Sequence, residues 1–212
     1  MRSVYVVGGD HGVTSMFSSR GWSIADDYDE SVADLVCFTG GLDITPLLYG
    51  EFPIAETRCD LVRDKKEIRI LKRLPDRLPK VGICRGAQLL NVLSGGGMYQ
   101  HVNGHAIKGK HDVLDMMTGE TIWCTSTHHQ MMIPGDSCDL IGVAAEASLK
   151  VTDHGSITIP EATRKNNNDD TEVCFYKWNN SLCYQPHPEY VSKNDPCQQW
   201  FFSLIELWLF DK

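Results

Sequence analysis

A single cysteine lies between two glycines at the point where an apolar segment changes into a helical pattern. Cys84 follows the apolar run 80–83 and precedes apolar residues at helical spacing. Gly82 and Gly86 are typical of a nucleophile elbow, a turn too tight for larger side chains. At a helix N-terminus, unpaired N–H groups and the helix dipole favour a thiolate. The motif predicts a nucleophilic Cys84, with a buried structural cysteine as the alternative.

A histidine and a carboxylate two residues apart have the chemistry that such a nucleophile needs. His187 and Glu189 follow a strand pattern at 182–184 and are separated by Pro188, which stiffens the backbone. At this spacing the carboxylate can hydrogen-bond one imidazole nitrogen and leave the other to face a sulfur atom. Because a thiolate nucleophile needs a base and a group that orients the base, we predict that Cys84, His187 and Glu189 form a catalytic triad.

Paired glycines after another strand pattern predict an oxyanion site. Residues 39–43 read Thr-Gly-Gly-Leu-Asp, and glycines expose backbone N–H groups without obstruction by a side chain. We predict that the N–H groups of Gly41 and of Arg85, the residue after the cysteine, stabilise the negative oxygen of a tetrahedral intermediate. A simple turn from strand to loop is the alternative explanation of the glycines.

Strand and helix patterns alternate along the first half of the chain. Apolar strand patterns occur at 4–7, 33–38 and 80–83, and helical patterns occur at 14–19, at 63–74 and after Cys84. This alternation predicts an α/β fold in which helices cover a parallel sheet. We expect the helix at 63–74 to be exposed, because charged residues interrupt its apolar positions.

The chain changes character after Gly95-Gly96-Gly97, a strong helix terminator. Shorter and more polar strand patterns follow at 121–124, 140–144, 157–159 and 173–178. We predict a hairpin turn at Asn179-Asn180 and a mobile loop at 163–171. Apolar residues at helical spacing predict a C-terminal helix at 198–210 that packs its aromatic side chains on the sheet.

Composition and charge exclude several classes of function. The 212 residues are 42% hydrophobic and 23% charged, which predicts one globular domain over residues 1–212. The formal net charge of −8 argues against nucleic acid or an anionic membrane surface as the main partner. No apolar run approaches the ~20 residues of a membrane span. The chain begins with a strand pattern and not with an export signal. We therefore predict a cytoplasmic protein whose eight scattered cysteines are reduced thiols.

The histidines suggest an alternative chemistry, a metal site. The candidate ligands are His101, His105, His111, His128 and His129. Asn103-Gly104 argues against a helix that would pair His101 with His105. The neighbours His128 and His129 would point to opposite sides of a strand. We therefore predict no metal.

Further blocks in a consistent order extend these motifs over most of the chain. They are 38–43 with Pro46, 49–51, Arg63-Asp64 with Glu67, 82–92, Gly96-Gly97, Tyr99-Gln100, Gly104-His105, 126–130 and 185–189. Together they resemble the class I glutamine amidotransferase superfamily and, within it, the γ-glutamyl hydrolase-like amidohydrolases. Pro186 and Thr127 depart from the family pattern, since relatives usually carry an aromatic residue at these positions. The pocket wall should therefore differ from theirs.

The resemblance implies a fold, a chemistry and a set of site residues. The fold is a flavodoxin-like three-layer α/β sandwich with a mostly parallel central sheet and additional short antiparallel strands in the C-terminal half. Cys84 is the nucleophile, His187 the general base and acid, and Glu189 the residue that orients the imidazole. The backbone oxyanion donors are Gly41 and Arg85, and the positions matching the substrate pocket are Gln88, His128, His129 and Gln130. No cofactor is implied.

These observations predict a cysteine amidohydrolase that cleaves the γ-glutamyl amide bond of a small molecule through a glutamyl thioester. An alternative is a glutaminase subunit that supplies ammonia in trans to a separate synthetase or amidoligase, because the 212 residues contain no synthetase domain of their own. A metal-binding or non-catalytic relative is a further alternative. A non-catalytic relative would be expected to have lost part of the triad, and this chain retains each part.

Overall fold

The computed structural model describes residues 1–145, 150–152, 155–157 and 170–211. The strands are β1 (Ser3–Val7), β2 (Ser23–Ile24), β3 (Leu35–Phe38), β4 (Lys80–Ile83), β5 (Gly97–Tyr99), β6 (His101–Val102), β7 (Ala106–Asp115), β8 (Thr121–Thr127), β9 (Met131–Ile133), β10 (Cys138–Ala144), β11 (Lys150–Thr152), β12 (Gly155–Ile157), β13 (Thr171–Tyr176) and β14 (Ser181–Tyr184). The helices are α1 (His11–Ser19), α2 (Leu61–Leu71), α3 (Arg85–Leu93) and α4 (Pro196–Leu204), and a π-helix over Ile205–Phe210 continues α4. Short 3₁₀ turns lie at Pro46–Tyr49, Lys177–Asn179 and Pro188–Tyr190.

The main sheet joins a parallel half to an antiparallel half. Among the described residues, its strands lie in the order β2-β1-β3-β4-β14-β13-β10-β7-β8, and β5 and β9 pair beside this path. Neighbours from β2 to β14 are parallel. Neighbours from β14 to β8 are antiparallel. A smaller sheet contains β12, β11 and β6. The predicted α/β fold, with a parallel central sheet and antiparallel additions in the C-terminal half, is confirmed.

Helices cover both faces of the parallel strands. In β1, Val4 and Val6 belong to a core that includes Phe17 of α1 and Phe201 of α4. Val7 belongs instead to the core that α2 and α3 cover. Because successive side chains of a strand point to opposite faces, a strand that is apolar at consecutive positions is buried on both sides. The result is the three-layer arrangement that the alternating patterns predicted.

The C-terminal segment packs its aromatic residues as predicted. Trp200 and Phe201 are buried, and the ring centroid of Trp208 lies 5.1 Å from that of Phe175. The predicted helix at 198–210 corresponds to α4 and the π-helix that continues it.

The predicted hairpin is also present. Asn180, with a φ of 52°, lies in the turn between β13 and β14. Left-handed backbone is a conformation that asparagine tolerates better than most residues. Of the predicted loop at 163–171, residues 163–169 lie outside the described residues, and so do residues 158–159 of the predicted strand at 157–159.

Two expectations from the sequence were wrong in part. α2 is not simply exposed: Lys65 and Lys66 face solvent, but Asp64 and Glu67 are buried against the body of the protein. The ten-residue strand β7 was not predicted, because its first half is exposed and polar and shows no regular alternation of apolar residues.

The remaining global expectations concern the membrane and the thiols. In the part of the chain that the structure describes, we find no helix with both the length and the apolar character that crossing a bilayer requires. The eight cysteines are all free thiols, as predicted.

Candidate active site

Cys84 occupies the turn between β4 and α3. Its backbone has φ 50° and ψ −110°, a sparsely populated region for a residue with a side chain. Two glycines make this turn possible. A Cβ on Gly82 would lie 2.4 Å from the Ala87 nitrogen, and a Cβ on Gly86 would lie 2.1 Å from the Phe38 oxygen. The turn therefore has the form of the elbow predicted from the sequence.

Two parallel strands bring the cysteine and the histidine to one edge of the sheet. β4 pairs with β14 in the register Ile83↔Tyr184, and the Cys84 N–H donates to the Tyr184 carbonyl at 2.9 Å. Because the carboxyl ends of parallel strands meet at the same edge, the chain that leaves β14 carries His187 to Cys84. Cys84 is 8% exposed, so the thiol lies in a nearly closed site.

The His187 side chain lies close enough to Cys84 and Glu189 for both groups to act on its pKa. Its Nδ1–H donates to Glu189 Oε1 at 2.6 Å, which leaves Nε2 for the sulfur. The His187 backbone N–H donates to Thr125 Oγ1 at 2.6 Å, and this hydroxyl donates to the His187 carbonyl at 3.2 Å. Tyr190 stacks on the imidazole, with ring centroids 4.4 Å apart and planes within 2° of parallel. The orientation of the ring is therefore fixed by its neighbours.

The charges around His187 favour its protonated form. Burial alone would lower the pKa of His187, but the charge and hydrogen bond of Cys84, together with those of Glu189, outweigh burial and raise this pKa to about 11. The imidazole is therefore protonated at neutral pH, on the side of the cavity where Cys84 lies. A cysteine and a histidine in this arrangement are the usual form of an activated thiol nucleophile.

The glycines at the end of β3 face this pair. A Cβ on Gly40 would lie 2.7 Å from His187 Cε1, so the absence of a side chain lets the imidazole approach the backbone. Gly41 has a φ of 152°, and a Cβ there would lie 2.0 Å from Arg63 Nη1. Both positions therefore require glycine, and the backbone of Gly41 lines the same cavity as Cys84.

A buried charge network holds the base of α3 against α2. The Arg85 guanidinium, only 1% exposed, forms ion pairs with Asp64 and Glu67. Arg63 bonds Glu67 Oε1 at 2.7 Å and donates to the Thr39 carbonyl at 3.1 Å. The side chain of Arg85 is thus committed to this network, which leaves only its backbone N–H for the site. These residues match family blocks in the sequence. The ion-pair network itself was not predicted, because Arg85 lies on α3 and its partners lie on α2.

A cavity of about 200 Å³ opens beside Cys84. Its lining residues are Gly41, Leu42, Asp43, Arg58, Cys84, Gln88, Thr127, His128, His129 and Gln130. The four positions predicted for substrate binding all belong to this lining. The sequence predicted no role for Asp43 or Arg58. Asp43 could have been noticed only from its position directly after the paired glycines and Leu42, and Arg58 had no comparable signal.

The polar residues of the lining are held by further hydrogen bonds. Gln88 donates to Gln185 Oε1 at 3.2 Å, and His129 Nε2 bonds Asp43 Oδ1 at 3.0 Å. The hydrogen bond that His129 donates to Asp43 outweighs burial and raises the pKa of His129. Gln130 donates to the Gln100 carbonyl at 3.1 Å. The wall of the cavity is therefore an ordered polar surface.

Comparison with known proteins places the chain in a family. The profile described as peptidase C26 matches residues 11–152, more than half of the chain. The chain belongs to the peptidase C26 family. It is 38% identical over 108 residues to the glutamine amidotransferase-like YvdE homolog of Lactococcus lactis subsp. cremoris, an alignment that covers 50% of this chain and 55% of the relative. The chain spans about half the length of the curated relatives it matches.

Solved structures share the fold of this peptidase C26 chain. A glutamine amidotransferase from Thermotoga maritima matches with a TM-score of 0.60 and 14% identity over 100% of this chain and 86% of that chain. The structure of PurLQS from Thermotoga maritima matches with a TM-score of 0.63 and 15% identity over 97% of this chain and 98% of that chain. At these identities the matches show a common fold. The resemblance to class I glutamine amidotransferases is thus confirmed at the level of the family.

The peptidase C26 chain contains a second group of titratable side chains that shares His128 with the cavity. His105 precedes β7, His111 lies in β7, His128 follows β8 and Glu172 lies in β13. We call these four residues the histidine–glutamate cluster. Three of its members were among the histidines considered for a metal, but Glu172 was not recognised in the sequence.

The other two histidines of that group lie elsewhere. His101 and His129 are neighbours, with ring centroids 5.7 Å apart, and His129 bonds Asp43. His128 and His129 thus point to different partners, as the strand pattern predicted. The five histidines considered together in the sequence do not form one site.

The cluster encloses a buried anion. Burial would raise the pKa of Glu172, but the neighbouring imidazoles outweigh burial and hold this pKa well below its usual value. Burial lowers the pKa of His128 itself in spite of the charge of Glu172, so His128 favours its neutral form and His111 is the cation of the cluster. For His111, burial lowers the pKa, and the charge of Glu172 outweighs it so that the pKa is raised.

Proposed function

We propose that this chain is a cysteine amidohydrolase of the γ-glutamyl hydrolase-like type, which cleaves a γ-glutamyl amide bond through a glutamyl-thioester intermediate. The observation that carries this proposal is the juxtaposition of Cys84 with His187, whose Nδ1 bonds Glu189, beside a small polar cavity. Nucleophile, base and orienting carboxylate in this order are the arrangement that thiol acyl transfer requires.

In the first half of the reaction, the Cys84 sulfur attacks the γ-carbonyl carbon and forms a C–S bond. The carbonyl oxygen becomes an oxyanion, and the backbone N–H groups of Gly41 and Arg85 donate to it. Arg85 is the first residue of α3, so its N–H has no partner within the helix. As the C–N bond breaks, the His187 imidazolium transfers its Nε2 proton to the departing amine. Glu189 keeps the ring in the orientation and tautomer that this transfer needs.

In the second half, a water molecule takes the place of the amine. Neutral His187 accepts a proton from this water, and the hydroxide attacks the thioester carbon. The C–S bond then breaks, glutamate leaves, and the thiolate–imidazolium pair is restored. The same oxyanion donors act in both halves, because both intermediates carry the negative charge on the same oxygen.

The cavity suits the head of a γ-glutamyl compound. Its volume of about 200 Å³ is below the roughly 300–1,000 Å³ of pockets for larger ligands. Its lining includes the anionic Asp43 and the cationic Arg58, which are complementary to the α-ammonium and α-carboxylate of an amino acid. The leaving amine would then lie at the edge of this cavity, beside Thr127.

Replacement of the nucleophile tests the proposal. Cys84→Ala should lower hydrolysis of glutamine and of γ-glutamyl-p-nitroanilide by roughly 10⁴-fold or more, because the covalent route is lost. Circular dichroism and thermal unfolding should show that the variant is folded. The matched control is Cys59→Ala, which removes an exposed thiol that does not line the cavity and should leave activity unchanged. Comparable turnover in the Cys84→Ala protein would rule out the mechanism.

A glutaminase subunit that works with a synthetase in trans is the second candidate. The segment between Leu42 and Arg58, two residues of the cavity lining, also exposes Leu47 and Phe52 to solvent. Exposed apolar side chains next to a reactive site are suited to a partner that covers the site. Efficient cleavage of γ-glutamyl amines by the isolated chain favours the hydrolase. Release of ammonia from glutamine only when a synthetase is added favours the subunit.

A further inference from the structure

We propose that the histidine–glutamate cluster is a closed binding site for a divalent transition metal of the zinc class. The ligands are His105 Nδ1, His128 Nε2 and a carboxylate oxygen of Glu172. His111 Nε2, 3.4 Å from Glu172 Oε1, would complete a set of four after a shift of its ring. Imidazole nitrogens and a carboxylate oxygen are donors that zinc favours.

The spacing of the donor atoms fits one metal ion. The donor atoms of His105, His128 and Glu172 all lie within 4.8 Å of one another. The two imidazole nitrogens are 3.0 Å apart, and they lie 3.3 Å and 3.1 Å from Glu172 Oε1. In a tetrahedral site with bonds of about 2.0–2.1 Å, neighbouring donor atoms are about 3.3–3.4 Å apart. The observed separations therefore need only small adjustments.

The orientation of the side chains points to a cation between them. Three ring nitrogens lie within 3.4 Å of Glu172 Oε1. Even so, no described residue makes a hydrogen bond of regular geometry to either oxygen of this fully buried carboxylate. His105 Nδ1 and His128 Nε2 form a hydrogen bond with each other instead, at 3.0 Å. A buried carboxylate without such bonds is costly unless a positive charge is close.

The hydrogen bonds of Ser126 define the tautomer of His111. Ser126 Oγ lies 2.5 Å from the His105 carbonyl oxygen, and since only the hydroxyl can supply a proton there, it must donate to this oxygen. The same Oγ lies 3.1 Å from His111 Nδ1 and must therefore accept a proton from it. His111 Nε2 is then the ring nitrogen that faces Glu172, at 3.4 Å. A second shell that fixes the imidazole tautomer in this way is typical of metal-ligating histidines.

The site is closed and joins separate elements. The side chains of His105, His128 and Glu172 are at most 5% exposed. Structural zinc sites are four-coordinate and closed, whereas catalytic sites keep a position for water. The ion would tie β7, β8 and β13 together and fix His128, which lines the cavity. We therefore assign the metal a structural and positioning role, separate from the chemistry at Cys84.

Metal content tests the proposal without any assay of activity, so its failure can be told apart from that of the proposed function. The protein carrying Cys59→Ser and Cys84→Ser is used, because these two thiols could bind zinc by themselves. After incubation with zinc chloride and desalting, mass spectrometry of the metal should find about one zinc per chain. Cobalt(II) in its place should give the visible absorption bands of a tetrahedral site without the near-ultraviolet bands of thiolate ligation.

Ligand variants and a matched control complete the test. Glu172→Gln and His128→Gln should lower zinc affinity by more than about 100-fold, the upper range for loss of an outer-shell partner alone. His101→Ala removes a histidine of the same region outside the cluster and should retain the metal. Zinc retention below about one tenth of an equivalent in the parent protein, thiolate bands in the cobalt spectrum, or equal affinity in parent and Glu172→Gln would each overturn the proposal. The parent measurements hold even if a ligand variant fails to fold.

Discussion

Two groups of histidine and carboxylate side chains lie near the same cavity, and they are built in different ways. His187 and Glu189 are two residues apart and joined by one directional hydrogen bond of 2.6 Å. In the histidine–glutamate cluster, three imidazoles from separate elements surround Glu172 without such a bond. The first group has a free imidazole nitrogen that faces Cys84. In the second, all four side chains face one another.

We interpret the first group as arranged for proton transfer and the second as arranged for holding a structure. A catalytic imidazole needs one nitrogen fixed and the other available to the reacting atoms. A cluster that directs every donor inward offers nothing to a substrate, but it links the elements that carry its members. Equivalent substitutions in the two groups should therefore affect different quantities.

The largest effect on catalysis is expected from Glu189→Gln. The amide can no longer accept the Nδ1 proton as a charged partner, so the wrong tautomer and orientation of His187 become populated. kcat/KM for a γ-glutamyl substrate should fall by roughly 10³–10⁴-fold, while the free energy of unfolding changes little. Steady-state kinetics and denaturant titration of the same preparation measure both. A loss below tenfold would show that Glu189 does not orient the base.

The matching change in the cluster, Glu172→Gln, should act mainly on stability. It removes the negative charge that buried imidazoles surround, and loss of one partner of a buried charged group typically costs about 3–5 kcal/mol. Urea unfolding should show the decrease, and kcat should fall far less than in Glu189→Gln. If Glu172→Gln lowered kcat as strongly as Glu189→Gln and left stability unchanged, the two groups would not differ in role.

A smaller effect is expected from the pH dependence of stability. The pKa of His187 is raised from 6.5 to about 11 in the folded protein, so the proton is bound more tightly in the folded state than in the unfolded state. The stabilisation is therefore complete below about pH 6.5, the usual value for histidine, and is lost as the pH rises towards 11. The difference in free energy of unfolding between the wild type and His187→Gln should shrink over this interval.

Denaturant titrations between pH 6 and 10.5 measure this difference, and groups common to both proteins cancel. In a Cys84→Ser background the charge opposite His187 is absent, so the decline should move to lower pH. A difference that stays constant up to pH 10.5 would contradict the charged pair.

The parallel half of the fold could be predicted from the sequence, because the residue patterns that indicate its strands and helices are local. β4 and α3 follow directly from the apolar run before Cys84 and the helical spacing after it, and the flanking glycines marked the turn. β7 could not be predicted. The first half of this ten-residue strand faces solvent, and its register is set by pairing with β8. Strand pairing of this kind depends on partners distant in the sequence.

The same distinction applies to the sites. His187 and Glu189 could be paired from spacing alone. Glu172 could not, because its histidine partners lie on β7 and after β8, far away in the sequence. The burial of Asp64 and Glu67 escaped prediction for a similar reason: their partner Arg85 belongs to another helix, and charged residues on a helix are usually solvated.

The hairpin of β13 and β14 has a consequence for both groups at once. Glu172 and the chain leading to His187 are on its two arms, and the Gln185 N–H donates to the Glu172 carbonyl at 2.8 Å. The turn at Asn180 sets how these arms align. Because a slip of one residue would reverse which side of the sheet every side chain faces, a single inserted residue at this turn would displace the acid–base pair and the buried cluster together. A short turn at the far end of the hairpin thus determines how both groups of side chains are aligned, although it contacts neither of them.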